Sequence, residues 1–205
     1  MGSRIMHSII AKKVADRLNI EDKSSFLIGG IAADACSNKD ASHFYKGSLQ
    51  SYSRTIDYEG FLEKYKQHKR HPYIQGYFAH LIADDLWLTG FFVPWLKNRM
   101  EQNAALHPLY HNDFRLLNSK LLYHYGLKEE LEKYLNMPTS MMDLEEVHTS
   151  DVTSFISYVL GDMKDDPANI EKDLHVFSMD QIIGYIETSI EKSVYLLEQI
   201  HVKTT

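Results

Sequence analysis

Several ionisable side chains occupy positions in apolar helical patterns where a core residue is expected, and their types are those of metal ligands. The clearest pair is His80 and Asp84, which are four residues apart in a strongly apolar stretch. In a helix this spacing brings both side chains to one face, with Cβ atoms about 5–6 Å apart, so both can reach one cation. His7 and Asp34 lie on apolar stripes of two other predicted helices, and His43 follows Asp34 closely in the chain.

A bound cation is the simplest explanation for acidic groups in such positions. An ionised carboxylate is rarely buried without a partner, because its desolvation costs several kcal/mol. No Lys or Arg shares the apolar stripes that carry these residues, so a metal would supply the compensating charge. Imidazole and carboxylate ligands suit zinc, iron, manganese or nickel. With eleven His and a single Cys, Cys36, the chain has neither an internal disulfide framework nor a Cys-rich zinc site.

The elements that must position these residues are predicted to be helices, because helical periodicity dominates and no convincing strand pattern accompanies it. We predict one all-α domain over residues 1–205, a multi-helix bundle whose metal site comes mainly from 1–115 and whose helices in 127–202 pack against that part. The predicted helices cover 4–18, 25–35, 59–67, 108–125, 128–135 and 150–160, with a long central helix from Pro72 that Pro94 kinks and a last helix capped by Ser178 and Gln181. Residues 37–57 are predicted to form a polar loop.

Composition and charge exclude several classes of partner. The 22 basic and 28 acidic residues give a net charge of −6, which argues against a broad basic surface, and no binding to duplex nucleic acid is expected. Residues 76–96 are long and apolar enough to suggest a membrane span, but Asp84 and Asp85 near the middle would each cost about 2.5–3.5 kcal/mol there. A buried helix is predicted instead, with no transmembrane segment. The N-terminal stretch lacks the pattern of a signal peptide, so a cytoplasmic location is expected.

Four motifs within residues 7–84 occur in an order and at a spacing that resemble the zinc-dependent phospholipase C family. They are a His in the first helix (His7), a Gly-Gly-x-x-x-Asp element (Gly29, Gly30, Asp34), a Ser-His-Phe loop (His43) and a helical His-x-x-x-Asp pair (His80, Asp84). The resemblance implies an all-α fold and phosphoester hydrolysis, on phospholipids in secreted members and on nucleic acids in related nucleases. It also implies one divalent ion among Asp34, His43, His80 and Asp84, with Asp84 bridging to a second ion that His7 helps to hold.

Two departures from the family pattern limit the expected metal content. Ala33 stands where the family is expected to have a proline before the aspartate, and no His in the chain has a Glu four residues later. The third metal position of the family needs such a His-x-x-x-Glu pair. We therefore expect one or two divalent ions, with zinc favoured over iron, manganese or nickel.

The expected activity is hydrolysis of a phospholipid, a nucleotide or another small phosphoester. Two cations about 3.5–4 Å apart can clamp a phosphate and lower the pKa of a bridging water. Asp34 would then serve as a ligand or as the general base. His111 and Asp113, in the Tyr-His-Asn-Asp-Phe segment 110–114, would complete the site, with His111 as a catalytic residue. Tyr45, Lys46 and Arg115 are the candidate substrate-binding residues.

The main alternative is a non-catalytic helical module, for binding or regulation, that keeps a structural metal. An open coordination position distinguishes a catalytic metal site from a closed structural one. A second class of all-α metal-dependent enzymes, the HD-type phosphohydrolases, requires an adjacent His-Asp pair, and no such dipeptide occurs in the chain.

Overall fold

Helices form almost all of the regular structure in a computed structural model that describes residues 3–164 and 167–202. The α-helices are α1 (Arg4–Arg17), α2 (Lys23–Ala32), α3 (Lys39–Ser42), α4 (Tyr58–Lys64), α5 (Pro72–Trp87), α6 (Lys97–Gln102), α7 (Leu106–Tyr125), α8 (Lys128–Asn136), α9 (Thr149–Asp162) and α10 (Met179–Val202). Single 3-10 turns cover Ala33–Ala35, Lys66–His68 and Pro167–Asn169, and a π-helical stretch covers Leu88–Leu96. The predicted all-α class is confirmed.

Local signals at the helix ends explain why several boundaries are predictable. Pro72 occupies the first position of α5, where the missing N–H of proline is no loss. Gly126, with a φ of 63°, ends α7 in the left-handed conformation that a side chain disfavours. The N–H of Gln181 donates to Ser178 Oγ and the N–H of Ser178 donates to Gln181 Oε1, which forms the expected capping box before α10.

Two predicted elements differ from the structure. The polar loop 37–57 contains α3 and an antiparallel strand pair, β1 (Tyr45–Lys46) and β2 (Thr55–Ile56), in which Tyr45 lies opposite Ile56. Strands of two residues are too short to produce an alternating pattern, so the sequence contains no strand signal there. The long helix predicted from Pro72 changes type before Pro94: α5 ends at Trp87, and Pro94 lies inside the π-helical stretch.

The backbones of α2 and α5 approach each other unusually closely at the centre of the bundle. A Cβ atom added to Gly29 would lie 2.1 Å from the carbonyl oxygen of Tyr73, and one added to Gly76 would lie 1.9 Å from the carbonyl oxygen of Phe26. Helices α1 and α10 pack around this pair. Because only glycine fits at these crossing points, α2 and α5 bring Gly30 and the ligand-bearing face of α5 together.

The first half of the apolar run 76–96 belongs to this core, whereas residues 89–95 are exposed or half-buried. Tyr77, His80, Asp84 and Trp87 are buried among neighbouring helices, as expected for a core helix. Among residues 3–164 and 167–202, no helix has both the length and the apolar composition needed to cross a membrane.

Candidate metal centre

Four ligand-type side chains from three parts of the chain converge in the core. Asp34 lies in the 3-10 turn that follows α2, His43 lies at the end of α3, and His80 and Asp84 share one face of α5. His43, His80 and Asp84 are almost completely buried, whereas the Asp34 side chain is 15% exposed. Because the other three side chains are buried, solvent reaches this group at Asp34.

The spacing of the ligand atoms fits the coordination shell of a small divalent cation. His43 Nε2 lies 3.2 Å from Asp84 Oδ2 and 3.4 Å from His80 Nε2. His80 Nε2 lies 3.6 Å from Asp84 Oδ2, and Asp34 Oδ1 lies 3.5 Å from His43 Nε2. Zinc bonds of about 2.0–2.1 Å in a tetrahedron place neighbouring ligand atoms about 3.3 Å apart. His43, His80 and Asp84 therefore form one compact group that can hold a zinc-sized ion, whereas Asp34 joins His80 and His7 in a second group. In each group the ligand atoms all lie within 4.8 Å of one another.

Both ligand histidines of this group are oriented by backbone carbonyl groups. His80 Nδ1 lies 2.8 Å from the carbonyl oxygen of Gly30, and His43 Nδ1 lies 3.1 Å from the carbonyl oxygen of Lys39. His43 Nδ1 also lies 3.0 Å from the hydroxyl oxygen of Ser42. A carbonyl only accepts hydrogen bonds, so Nδ1 of His80 carries the proton and its neutral ring directs an Nε2 lone pair into the cluster. This is the usual arrangement around a metal-binding histidine. Unprotonated ring nitrogens and carboxylate oxygens then face one another in the cluster, and a cation or a proton is needed between them.

His7 lies on the opposite side of Asp84. Its ring stacks on that of His80, with centroids 3.9 Å apart, and its Nε2 lies 3.3 Å from Asp84 Oδ1. Neither ring nitrogen of this buried side chain makes a hydrogen bond of good geometry to a described residue. Asp84 thus directs Oδ2 toward His43 and His80 and Oδ1 toward His7, as a carboxylate between two ions would.

Electrostatics keep the centre anionic near neutral pH. Burial alone would raise the pKa of both carboxyl groups, but nearby positive charge and hydrogen bonds from the surrounding histidines outweigh it and hold the pKa of Asp34 and that of Asp84 well below the usual range. Burial and the neighbouring His7 lower the pKa of His80 to about 4, so this ring is neutral. Burial also acts to lower the pKa of His43, but its hydrogen bonds to the two carboxylates raise that pKa overall. A proton on His43 is thus the alternative to a cation in this cluster.

Sequence reasoning missed one residue of the centre, Lys39. Its ammonium group lies 3.0 Å from Asp34 Oδ1 and 2.6 Å from the carbonyl oxygen of Asp34. Lys39 is not on one of the predicted apolar stripes; it reaches Asp34 from the following short helix. A Lys five residues after a candidate ligand, within a turn-rich segment, is a weak signal for such a contact.

Asp34 connects the centre to a surface cleft of about 400 Å³. Lys39, His111 and Arg115 also line this cleft, so the structure brings the candidate catalytic residues Asp34 and His111 and the candidate phosphate-binding residue Arg115 to one opening. His111 and Arg115 are both exposed on α7. The cleft is the route by which a small molecule can approach Asp34.

Tyr45 and Lys46 line a different cavity. The Tyr45 ring stacks against His43, with centroids 5.5 Å apart, and its other contacts include the guanidinium group of Arg54, 3.9 Å from the ring centroid. Lys46 forms an ion pair with Asp57 and its side chain is largely exposed. Tyr45 therefore buttresses a ligand, while the structure does not bring Lys46 to the cleft beside Asp34.

Asp113, two residues after His111, is fully buried away from solvent. Its carboxylate accepts hydrogen bonds from the backbone N–H groups of His175, Val176 and Phe177. These contacts fasten the segment before α10 to α7. Asp113 is therefore a structural residue that the structure does not bring to the cleft, whereas His111 and Phe114 of the same segment line it.

Comparisons of the chain with family models, with curated proteins and with solved structures find no match. The resemblance to the zinc-dependent phospholipase C family therefore stays a prediction from the motifs.

Proposed function

We propose that the protein is a metal-dependent hydrolase that cleaves a phosphoester with a water molecule as the nucleophile. The observation that carries the proposal is the set of four ligand atoms at 3.2–3.6 Å from their neighbours, one of which, on Asp34, also lines an open cleft. A structural site would be closed on all sides, whereas a catalytic site needs access for substrate. Asp34 supplies that access.

The ligand set supports one or two divalent ions, with zinc favoured. His43, His80, Asp84 and Asp34 would hold the first ion, and His7 with Asp84 Oδ1 would contribute to a second. The bound cation would act as a Lewis acid on the phosphoryl group and would lower the pKa of water near Asp34. All of the nitrogen and oxygen donors match the ligand preference of zinc, manganese, iron and nickel.

The residues of the cleft then have distinct roles. Asp34 holds the cation or accepts the proton of the attacking water. The Lys39 ammonium group lies 3.0 Å from Oδ1, the same oxygen that faces His43. Attack by water forms one P–O bond, and the bond from phosphorus to the leaving oxygen breaks. His111, which lines the same cleft, is the candidate acid that returns a proton to that leaving oxygen.

The test combines metal analysis with turnover. The purified protein is freed of metal, reloaded with zinc or manganese, and assayed on 4-nitrophenyl phosphate and bis(4-nitrophenyl) phosphate with and without chelator. We expect turnover only in the loaded protein, its loss in Asp84→Asn and its retention in Asp85→Asn. Asp85 is the matched control because its carboxylate lies 3.3 Å from Lys192 Nζ rather than in the centre. A metal-loaded protein that hydrolyses neither these esters nor a wider set of phosphoesters would favour the alternative, a helical binding or regulatory module with a structural metal.

A further inference from the structure

Helix α7 presents a polar stripe where it borders the cleft. His111, Phe114, Arg115 and Asn118 all line it, and their spacing of three, four and seven residues puts them on one helical face. The opposite wall includes Arg4, at the N-terminal end of α1, and Phe155 of α9.

Basic groups outnumber acidic groups in the cleft, in contrast to the net charge of −6 of the whole chain. Arg4 is paired with Asp162 through two hydrogen bonds of 2.6 and 3.0 Å, and Lys39 is paired with Asp34. Arg115 differs from both. Among the described residues its guanidinium donates to the amide oxygens of Asn112 and Asn169, at 3.0 and 3.4 Å.

The amide oxygens orient the Arg115 guanidinium without neutralising it. A guanidinium has five N–H donors, so several remain for a ligand at the mouth of the cleft. A planar guanidinium is the side chain best suited to bidentate contact with a phosphate. Arg115 is therefore the cleft residue whose charge is available for an anionic substrate.

A second observation, independent of charge, concerns Asn118. Its Oδ1 atom is buried, and no described residue donates a hydrogen bond to it. An acceptor in this position costs free energy unless a donor reaches it. The Asn118 side chain lines the cleft, and a rotation of its amide would bring Oδ1 from the wall to a ligand donor. The aromatic rings of Phe114 and Phe155 line the same space.

We propose that this cleft binds a small, water-soluble phosphate ester of a hydroxylated alcohol, a sugar or polyol phosphate. Arg115 contacts the phosphate, Asn118 accepts a hydrogen bond from a hydroxyl group, and Phe114 and Phe155 pack against the carbon skeleton. The inference rests on the proposed function, because cleavage of the bound ester takes place beside Asp34.

The lining of the cleft argues against an acyl chain as the bound group. Phe114 and Phe155 are the apolar residues among the described residues that line it, and the others are charged or polar. A volume of about 400 Å³ is at the small end of ligand sites. Burial of a long apolar chain would require a more continuous apolar wall.

The phosphate contact is tested by titrating the metal-free protein with inorganic phosphate in a calorimeter, so that no ion contributes to binding. We expect Arg115→Gln to weaken phosphate binding at least tenfold, as for loss of a charged hydrogen-bonding partner. Arg17→Gln is the control, because Arg17 is exposed, pairs with Glu191 and does not line the cleft. Failure of phosphate to bind the unmodified protein, or equal affinity in Arg115→Gln, would overturn the inference.

The hydroxyl preference is tested with two esters of equal chain length, glycerol phosphate and propyl phosphate. We expect the metal-loaded protein to favour glycerol phosphate about tenfold in kcat/KM. Asn118→Leu should lower kcat/KM for glycerol phosphate only, so that the values for the two esters become similar. Circular dichroism checks the fold of each variant. A preference for propyl phosphate, or faster hydrolysis of phosphatidylcholine vesicles, would contradict the inference.

The two proposals fail in different ways. In one case no ester is hydrolysed, but glycerol phosphate displaces propyl phosphate from the metal-free protein and Arg115→Gln abolishes binding of both esters. The cleft assignment then stands and the hydrolase proposal falls. If esters are hydrolysed with unchanged KM in Arg115→Gln and unchanged selectivity in Asn118→Leu, the hydrolase proposal stands and the cleft assignment falls.

Discussion

His80 Nδ1 lies 2.8 Å from the carbonyl oxygen of Gly30, so a candidate ligand on α5 is oriented by the backbone of α2. This contact exists because glycines allow the two helices to touch. At Gly76 the two chains are so close that an added Cβ would lie 1.9 Å from the carbonyl oxygen of Phe26. The geometry of the centre is thus set by helix packing outside it.

Gly76→Ala should therefore damage both stability and metal binding. The new methyl group collides with backbone, which cannot rotate away as a side chain does, and we expect a loss of about 3 kcal/mol or more in the free energy of unfolding. Urea denaturation measures this loss. Gly184→Ala is the control, because an added Cβ at Gly184 has no atom within 4 Å and lies inside α10. That variant should gain about 0.5–1 kcal/mol, and equal effects of the two changes would contradict the packing argument.

Metal binding should raise the melting temperature of the protein. At a free zinc concentration 100 times the dissociation constant, the stabilisation is about 2.7 kcal/mol, which corresponds to roughly 5–10 °C for a chain of this size. Differential scanning calorimetry before and after addition of zinc measures the shift. Asp84→Asn should show little or no shift.

Asp85→Asn should show the same shift as the unmodified protein, because Asp85 faces Lys192 and not the centre. Loss of the shift in both variants would mean that the metal lies elsewhere on α5. An unchanged shift in Asp84→Asn would remove Asp84 from the ligand set.

The tautomer of His80 offers a test without metal. Since the Gly30 carbonyl accepts a hydrogen bond from Nδ1, the neutral ring should carry its proton there and leave Nε2 unprotonated. Long-range ¹H–¹⁵N correlation spectra of the metal-free protein near pH 7.5 distinguish the two nitrogens. A protonated Nε2 in the neutral ring would contradict the orientation that we assign to this ligand.

Acid sensitivity should involve Asp16, outside the centre. Burial acts to raise the pKa of Asp16, but its hydrogen bonds with Lys12 and Lys23 lower that pKa overall. A carboxyl group with a lowered pKa in the folded state stabilises that state above its unfolded pKa, about 3.9, and the stabilisation is lost as the pH falls through the folded pKa.

Asp16→Asn should accordingly lower the free energy of unfolding at pH 7 by about 1 kcal/mol. The difference from the unmodified protein should shrink as the pH falls below about 4. Urea denaturation at a series of pH values provides the measurement, with Glu171→Gln, a change at an exposed position, as the control. A difference independent of pH would show that packing, not charge, accounts for the effect.

The parts of the fold that the sequence predicts are those set by local interactions. The spacing of His80 and Asp84 within one helix is enough to place them side by side, and Pro72, Gly126 and the Ser178–Gln181 pair carry their own boundary signals. The division of the predicted helix 25–35 into α2 and a 3-10 turn is not visible in this way. It depends on where Asp34 must point once α5 is in place.

The parts that the sequence does not predict depend on contacts between distant segments. Lys39 and Asp34 meet because a short helix follows a tight turn, and no periodicity reports such a meeting. The polar stripe of α7 is visible as a spacing, but its meaning requires the neighbouring walls that α1 and α9 supply. Lys46 shows that closeness in sequence is not enough. It lies three residues after His43, yet its side chain lines a different cavity from the cleft beside Asp34.

Lys39 contacts both ends of the segment between Asp34 and His43. Its ammonium group contacts Asp34, and its carbonyl oxygen accepts the hydrogen bond of His43 Nδ1. The segment from Asp34 to His43 is therefore closed as a ring by contacts within the protein, and the entropy of ordering it is lost during folding. For the proposed metal this order would reduce the entropic cost of binding, because the ring holds Asp34 and His43 near their positions in the centre.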